Sequence, residues 1–330
     1  MNCEFKEQPK FWNQKNIYSF LLLPFSFLYI FIIKIRKFFY SRKFFTTTTF
    51  EEPIIVVGNV TVGGVGKTPL VMWLANFLKE QGFNPGIVSM GYGGKKNNQP
   101  FEVMPTSDVS DVGDEALMIA RRTKCPMVIA KNRVAAVRKL LESNDCNIII
   151  SDDGLQHYAL ARDLEIIVID GDRFFGNGYC LPAGPLREPI NRLKTVDFIV
   201  VNSTNNTTEN SYEHSMKLVP DSFCNIKHEH LKKNSNDFFG SEIHAVAGIG
   251  NPERFFNSLK KMGLSIIEHP FPDHYSYKCE DFAFAANKII IMTEKDAVKC
   301  EQFANDNWWY LPVTAKLDNS FVEKLKQHFC

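Results

Sequence analysis

"GNVTVGGVGKTP", Gly58 to Pro69, follows the apolar run "PIIVV" and precedes "LVMWLANFLKEQG". An apolar strand, a glycine-rich turn closing on Gly-Lys-Thr and an amphipathic segment form the order in which a phosphate-binding loop is built. The glycines let successive backbone N–H groups turn inward as a nest for phosphate oxygens. Lys67 would reach the outer phosphates, and Thr68 would offer its hydroxyl to Mg²⁺. Pro69 falls in the first helical turn, where its missing N–H costs nothing. The helix start adds its positive end. The candidate nucleotide contacts are therefore Thr61, Val62, Gly63, Gly64, Val65, Gly66, Lys67 and Thr68. One position departs from G-x-x-x-x-G-K-[ST], because Thr61 stands where the first glycine belongs. The core G-G-x-G-K-T also marks a variant branch of P-loop proteins. That branch carries a second lysine four residues before the last glycine, and here the position is Val62.

A phosphate loop needs an acid at the end of a nearby strand to hold Mg²⁺. "NIIISDDG" supplies Asp152 and Asp153 after an apolar run, the Walker B pattern. "GIVSM", "PMVIA", "EIIVID" and "DFIVVN" are further strand candidates, with helical patterns at Pro69 to Gln81, "DEALMIARRT" and "NRVAAVRKLLES". Short continuous apolar runs alternating with helices predict an α/β fold on a parallel sheet. The polar stretch "NSTNNTTENS", 202–211, reads as a linker. A smaller α/β unit is expected after it, from "IHAVAGI", "NPERFFNSLKKMG", "KIIIM" and "WWYLPV". The expected organisation is a hydrophobic segment over 1–45, a P-loop domain over 46–212 and a smaller α/β domain over 213–330.

Lys plus Arg number 38 and Asp plus Glu 37 in 330 residues. A net charge of +1 argues against bulk nucleic-acid binding. The eight cysteines form no C-x-x-C pair and no metal spacing, as expected of reduced thiols rather than a disulfide framework. Ile17 to Ile33, "IYSFLLLPFSFLYIFII", carries no charge and is followed by Lys34, Arg36, Lys37, Arg42 and Lys43. A single span needs about 20 apolar residues, so this run lies at the lower limit. Pro24 would bend a helix there. Three readings follow: an inserted or interfacial hairpin or helix, one full span, or a buried core helix. The basic cluster favours contact with an anionic cytoplasmic membrane face.

Several residues stand out individually. Asp114 and Glu115 open a helix, where acids favour the dipole. Asp273 and His274 lie in the loop "PDHYSY". Arg187 and Glu188 lie in "LPAGPLREP", and Arg is the natural clamp for a phosphate. Lys131 and Arg133 sit at a helix start, where cations oppose the dipole unless an anion lies between them. "MTEKDAVK" is a poor match to the base-reading N-K-x-D pattern of GTPases, and a capped helix start explains it equally well.

Taken in order, "VGNVTVGGVGKTPLVMWLA", "SMGYGG", "VGDEALMIARR", "SDDGLQH", "LPAGPLREP", "FPDHYSY" and "TEKDAVK" resemble the tetraacyldisaccharide 4′-kinase family over nearly the whole chain. The resemblance implies transfer of the γ-phosphate of ATP, with Mg²⁺, to the 4′-hydroxyl of a tetraacyldisaccharide 1-phosphate lipid acceptor. It implies work at the cytoplasmic face of a bacterial inner membrane, with no nucleic acid and no obligate protein partner. It makes Asp114 and His274 the catalytic pair, and Thr68, Asp152 and Asp153 the metal set. The implied substrate-binding set is Asn59, Tyr92, Glu115, Arg133, Gln156, His157, Arg187 and Glu188. Two positions depart from the family pattern: Met90 replaces an arginine, and Tyr275 stands where a second histidine often follows the first. The competing reading is a membrane-recruited ATPase or GTPase switch, against which Val62 and the poor N-K-x-D match both speak.

Overall fold

The computed structural model describes residues 9–203, 214–285 and 288–329. Of the expected linker, residues 204–211 lie outside the described residues, as do Cys3 and Cys330. The first unit runs through β1 (Ile54–Gly58), α2 (Lys67–Glu80), β2 (Pro85–Ser89), β3 (Phe101–Glu102), α3 (Val109–Val112), α4 (Asp114–Thr123), β4 (Met127–Ile129), α5 (Arg133–Ser143), β5 (Ile148–Asp152), β6 (Leu164–Asp170), β7 (Phe198–Asn202) and β8 (His214–Pro220), after an N-terminal helix α1 (Ile17–Ser41). The second holds β9 (Phe223–Asn225), β10 (Lys232–Lys233), β11 (Ile243–Ala247), α6 (Pro252–Lys261), β12 (Ile266–Pro270), β13 (Ile289–Thr293), α7 (Glu294–Cys300) and β14 (Trp308–Leu311). The chain then returns to the first unit with β15 (Val313–Leu317) and α8 (Asn319–Phe329).

The first sheet has the order β15-β8-β7-β6-β1-β5-β2-β4-β3. Its interior strands are parallel, and the edges β3 and β15 are antiparallel. Every residue of β1, β5 and β6 is buried, which explains the unbroken Ile and Val runs of those segments. Leu70, Val71, Leu74, Ala75 and Leu78 of α2 seal one face, and α5 seals the other with Ala136, Val137 and Leu140. Helix α4 has acids in its first turn and Arg121 and Arg122 in its last, each complementing the macrodipole. The strand order steps from β1 outward to β2, back to β5, then across to β6. Ligands of such sheets bind where that order reverses, at the carboxyl ends of the strands. Val57 pairs with Asp152, so the glycine loop and the acidic pair leave neighbouring strand ends together.

The boundary expected after residue 212 does not separate the two sheets. Strand β8 and strand β15 both belong to the first sheet, so the smaller unit is inserted between them. The segment "WWYLPV" was expected as one strand. It is divided at Pro312, with β14 in the second sheet and β15 in the first. Proline has no N–H to give a ladder, and the chain changes sheet there. Its carbonyl accepts from Asp221 N–H at 3.0 Å, so the outgoing and returning crossings lie side by side. The second sheet, β10-β9-β14-β13-β11-β12, has its own core around Phe223, Phe238, Phe256 and Leu259.

Helix α1 is one continuous helix with Pro24 inside it, about 37 Å long at the α-helical rise. By length and hydropathy it is sufficient to cross a membrane. A hairpin does not form, and the buried-core reading fails because its buried residues are Ser19 and Ser26. These lie two turns apart on one stripe. Ser26 Oγ donates to the Cys180 carbonyl at 2.8 Å, and Tyr29 OH donates to the Arg187 carbonyl at 2.9 Å. Leu21 and Phe27 on other faces are 66% and 65% exposed. The fully buried positions are thus small and polar, with Tyr29 and Ile30 packing beside them on the core, while large apolar groups cover the outward faces.

Phe321 of α8 is fully buried against Trp73, Phe198 and His214. Phe321→Ala should destabilise the nucleotide-binding unit by about 3–5 kcal/mol, read as a lowered denaturation midpoint. An unchanged midpoint would mean that α8 does not belong to that unit.

Candidate active site

The loop after β1 is not free-standing. Thr61 forms an antiparallel bridge with Leu186. Val62 N–H donates to the Pro185 carbonyl at 2.9 Å, and Arg187 N–H to the Val60 carbonyl at 2.7 Å. A β-branched residue suits that extended pairing, which accounts for threonine where glycine was expected. The turn itself needs glycine at its end. Gly66 has φ +96°, and a Cβ there would lie 2.5 Å from Asn202 Nδ2. That amide donates to the Val65 carbonyl at 2.9 Å. Arg173 donates to the Gly64 carbonyl at 2.6 Å, and Arg254 of α6 to Asn202 Oδ1 at 3.2 Å. The loop is thus braced from the ends of β6 and β7 and from the second unit.

Lys67 Nζ donates to Asn59 Oδ1 at 3.1 Å and lies 3.3 Å from Asp153 Oδ1. Arg187 grips the same Asp153 with both contacts at 3.2 Å. Burial works against the Asp153 carboxylate, but Lys67 and Arg187 outweigh it and hold its pKa at about 2. Asp152 is the opposite case. Burial pushes it up to about 7, with Glu115 and Asp153 adding to the rise against Lys67 and Arg133. Ser89 Oγ donates to its Oδ2 at 3.3 Å, while its buried Oδ1 has no hydrogen-bond partner among the described residues. An unpaired buried carboxylate oxygen at a strand end, near a phosphate loop, fits a divalent cation. Hard oxygen donors and few protein ligands are what Mg²⁺ takes beside phosphates.

The second cluster joins the two units. His274 Nδ1 lies 3.1 Å from Asp114 Oδ2, and Asp114 Oδ1 accepts from Glu115 N–H at 2.8 Å. Burial would raise the Asp114 pKa. The hydrogen bond from His274 and the charges of Lys295 and Lys299 outweigh it, so the net direction is downward. His274 itself has φ +57°. The exposed ring of Tyr92 lies 4.8 Å from the His274 ring. Glu115 Oε1 accepts from Lys295 Nζ at 3.0 Å.

Not every expected substrate residue is open to a substrate. Glu188 is fully buried. Its oxygens take Gln156 Nε2 and Tyr158 OH, each at 2.9 Å, and Lys37 at 2.6 Å. Arg133 is 2% exposed. It donates to the Ala130 and Asp152 carbonyls, and burial pushes its pKa down to about 10 against Asp152 and Asp153. Both residues brace the site from beneath, because a buried charge must be satisfied within the protein. Gln156 is half-buried in the same network. Burial and then Arg133 lower His157 to about 4, leaving a neutral ring at neutral pH. Tyr275 donates to Asp281 at 3.2 Å and packs on Phe271 and Tyr277.

The structure adds Asn202, Arg173, Arg254, Lys295 and Lys299 to the neighbourhood. Asn202 and Arg173 end or follow parallel strands on the loop side, and that position alone marks them. Lys295 and Lys299 lie in "TEKDAVK", a motif whose register hid their role.

A family model described as tetraacyldisaccharide-1-P 4′-kinase matches residues 18–330. A tetraacyldisaccharide 4′-kinase of Nitrosococcus oceani is 50% identical over 312 residues, 94% of this chain and 91% of that protein. One of Coxiella burnetii is 48% identical over 314 residues, 95% of this chain and 92% of that protein. The crystal structure of LpxK from Aquifex aeolicus in complex with ATP superposes with a TM-score of 0.80 at 30% identity. That superposition covers 95% of this chain and 98% of the other. Matches that extend across both sheets, and across the loop and the acids between them, make this chain a member of the tetraacyldisaccharide 4′-kinase family.

Proposed function

We propose that this kinase of lipid A biosynthesis moves the γ-phosphoryl group of ATP to the 4′-hydroxyl of a tetraacyldisaccharide 1-phosphate, with Asp114 as the base. The observation that carries this reading is the Asp114–His274 contact of 3.1 Å, made between the two units. The acceptor oxygen attacks phosphorus as its proton passes to the Asp114 carboxylate. The bond from phosphorus to the β,γ-bridging oxygen breaks, and its electrons leave with ADP. Phosphoryl transfer otherwise asks mainly for positioning and charge neutralisation. Lys67 and the N–H groups of the Gly63–Gly66 turn supply these to the phosphates, and Arg187 supplies a second cation. Thr68 and Asp152 would hold Mg²⁺, with Asp153 beside them; the ion, when bound, neutralises charge on the β- and γ-oxygens. The exposed apolar flank of α1 would rest in lipid, where the acylated acceptor resides. ATP is cytosolic, which puts the site at the cytoplasmic face of the inner membrane. The switch reading is not carried forward, since the family match covers residues 18–330.

The direct test incubates purified protein, Mg-ATP and the disaccharide 1-phosphate in detergent; absence of a 4′-phosphorylated product from folded wild type would sink the reading. Asp114→Ala should lower kcat about 10²–10⁴-fold while the KM for ATP changes little. Wild-type kcat in that variant would remove Asp114 from the base role. Gly66→Ala combines a strained φ with the Asn202 clash, so calorimetry should show ATP binding lost while the fold is retained. His274→Ala removes the hydrogen bond that lowers Asp114 and leaves burial, which raises it. A base works deprotonated, so the acid limb of the kcat/KM profile should move to higher pH. A limb that stays or moves down would contradict the assigned cause.

A further inference from the structure

Lys295 is not among the residues that bind substrate or take the proton in the mechanism above, yet it is the most heavily engaged lysine near them. Its ammonium donates to Glu115 Oε1 at 3.0 Å and to Asp273 Oδ1 at 3.2 Å, and lies 3.3 Å from His274 Nε2. An ammonium has three protons and no lone pair. Two are taken by carboxylates, and the third has the imidazole nitrogen as its partner. That nitrogen must therefore accept. A neutral imidazole that accepts at Nε2 carries its proton on Nδ1, and Nδ1 is the atom facing Asp114 at 3.1 Å.

We infer that Lys295 is a positioning residue that fixes the Nδ1–H tautomer of His274, so that the ring donates to Asp114 and leaves that carboxylate free to take the acceptor's proton. The other groups around the ring agree with this assignment. Asp273 lies 3.9 Å from Nε2 but is itself an acceptor already held by Lys295. Lys299 lies 3.8 Å from Asp114 Oδ2 and 2.8 Å from Asp296, on the carboxylate side of the pair. Tyr92 offers its ring rather than its hydroxyl. The lysine is 14% exposed. Burial disfavours its charge, but Glu115, Asp114 and Asp273 outweigh burial and raise its pKa, keeping the ammonium form.

The arrangement also explains why the lysine comes from the second unit. Helix α7 meets α4 through Lys295–Glu115, Arg122–Glu294 and Arg121–Glu301. The tautomer is then set only when the two helices are seated together. The role of the pair rests on the proposed base function of Asp114; the tautomer itself does not.

The experiment is imidazole ¹⁵N NMR on full-length protein labelled at histidine, with the His274 signals assigned by their loss in His274→Gln. Wild type should show the proton on Nδ1, and Lys295→Met should show a mixture of tautomers or the Nε2–H form. In parallel, Lys295→Met should lower kcat about 10–100-fold, the usual cost of losing an orienting partner, with KM for ATP within about 3-fold. Lys295→Arg, which keeps the charge and the donors, should restore the tautomer and part of kcat. Arg121→Gln breaks a neighbouring pair on the same helix contact and should change neither readout. A wild-type ring protonated on Nε2, or a Lys295→Met ring still wholly in the Nδ1–H form, overturns the proposal. So does an Arg121→Gln variant that reproduces the loss, which would assign the effect to helix seating. If the tautomer behaves as expected while Asp114→Ala keeps its kcat, the base assignment fails and the lysine's role stands.

Discussion

The carboxylate of Asp153 is shared by Lys67 and Arg187, and three separate segments meet on it. One cation comes from the first turn of α2. The other comes from the proline-rich loop that pairs with Thr61. The acid itself leaves β5 in a left-handed conformation, φ +48°. The carbonyl of Arg187 is the acceptor for Tyr29 of α1. Hydrogen bonds to charged groups contribute about 1.5–3 kcal/mol each. Two such contacts exceed what any single neutral bond at the loop supplies. The first turn of α2 and the proline-rich loop are thus held together where this one charge is neutralised. The two adjacent acids are also pushed in opposite directions, Asp152 up and Asp153 down, which separates their roles despite identical chemistry.

Much of this was legible in the residues alone. Unbroken Ile and Val runs such as "NIIIS" and "EIIVID" announce strands buried on both faces. Helix α4 occupies the same residues as its periodic pattern. The loop, the acids at 152 and 153 and the Asp114–His274 pair were named by motif, and the structure brings each group together. Other features were hidden for physical reasons. The split of "WWYLPV" at Pro312 depends on which sheet each half reaches, and local periodicity carries no such information. Glu188 was expected at a substrate, but a fully buried carboxylate satisfied by Lys37, Gln156 and Tyr158 is a matter of three-dimensional neutralisation. Lys295 was masked because its partners lie 180 and 21 residues away.

Helix α1 shows how composition can be right while amphipathic reasoning fails. A surface helix normally turns its apolar stripe inward. Here Ser19 and Ser26 lie inward and act as hydrogen-bonding contacts between helix and kinase unit. Those contacts end on the Cys180 region and on Asn177, in the same loop that carries Arg187. Lys37 of this helix also reaches Glu188. The helix that would touch lipid is therefore wired into the floor of the site by polar contacts as well as by the packing of Tyr29 and Ile30 on the core beneath it.

The paired crossings at Pro220–Phe223 and Leu311–Val313 have a consequence for how the protein is made. Strand β15 and Phe321 come from the final stretch of the chain, yet they finish a sheet begun at Ile54. A ribosome delivers α1 first and the sealing strand last. The first sheet gains its edge strand β15 only after the inserted unit has been translated. Throughout that interval, the apolar helix is already outside the ribosome. The apolar helix thus has time to settle into its surroundings before the nucleotide unit is complete.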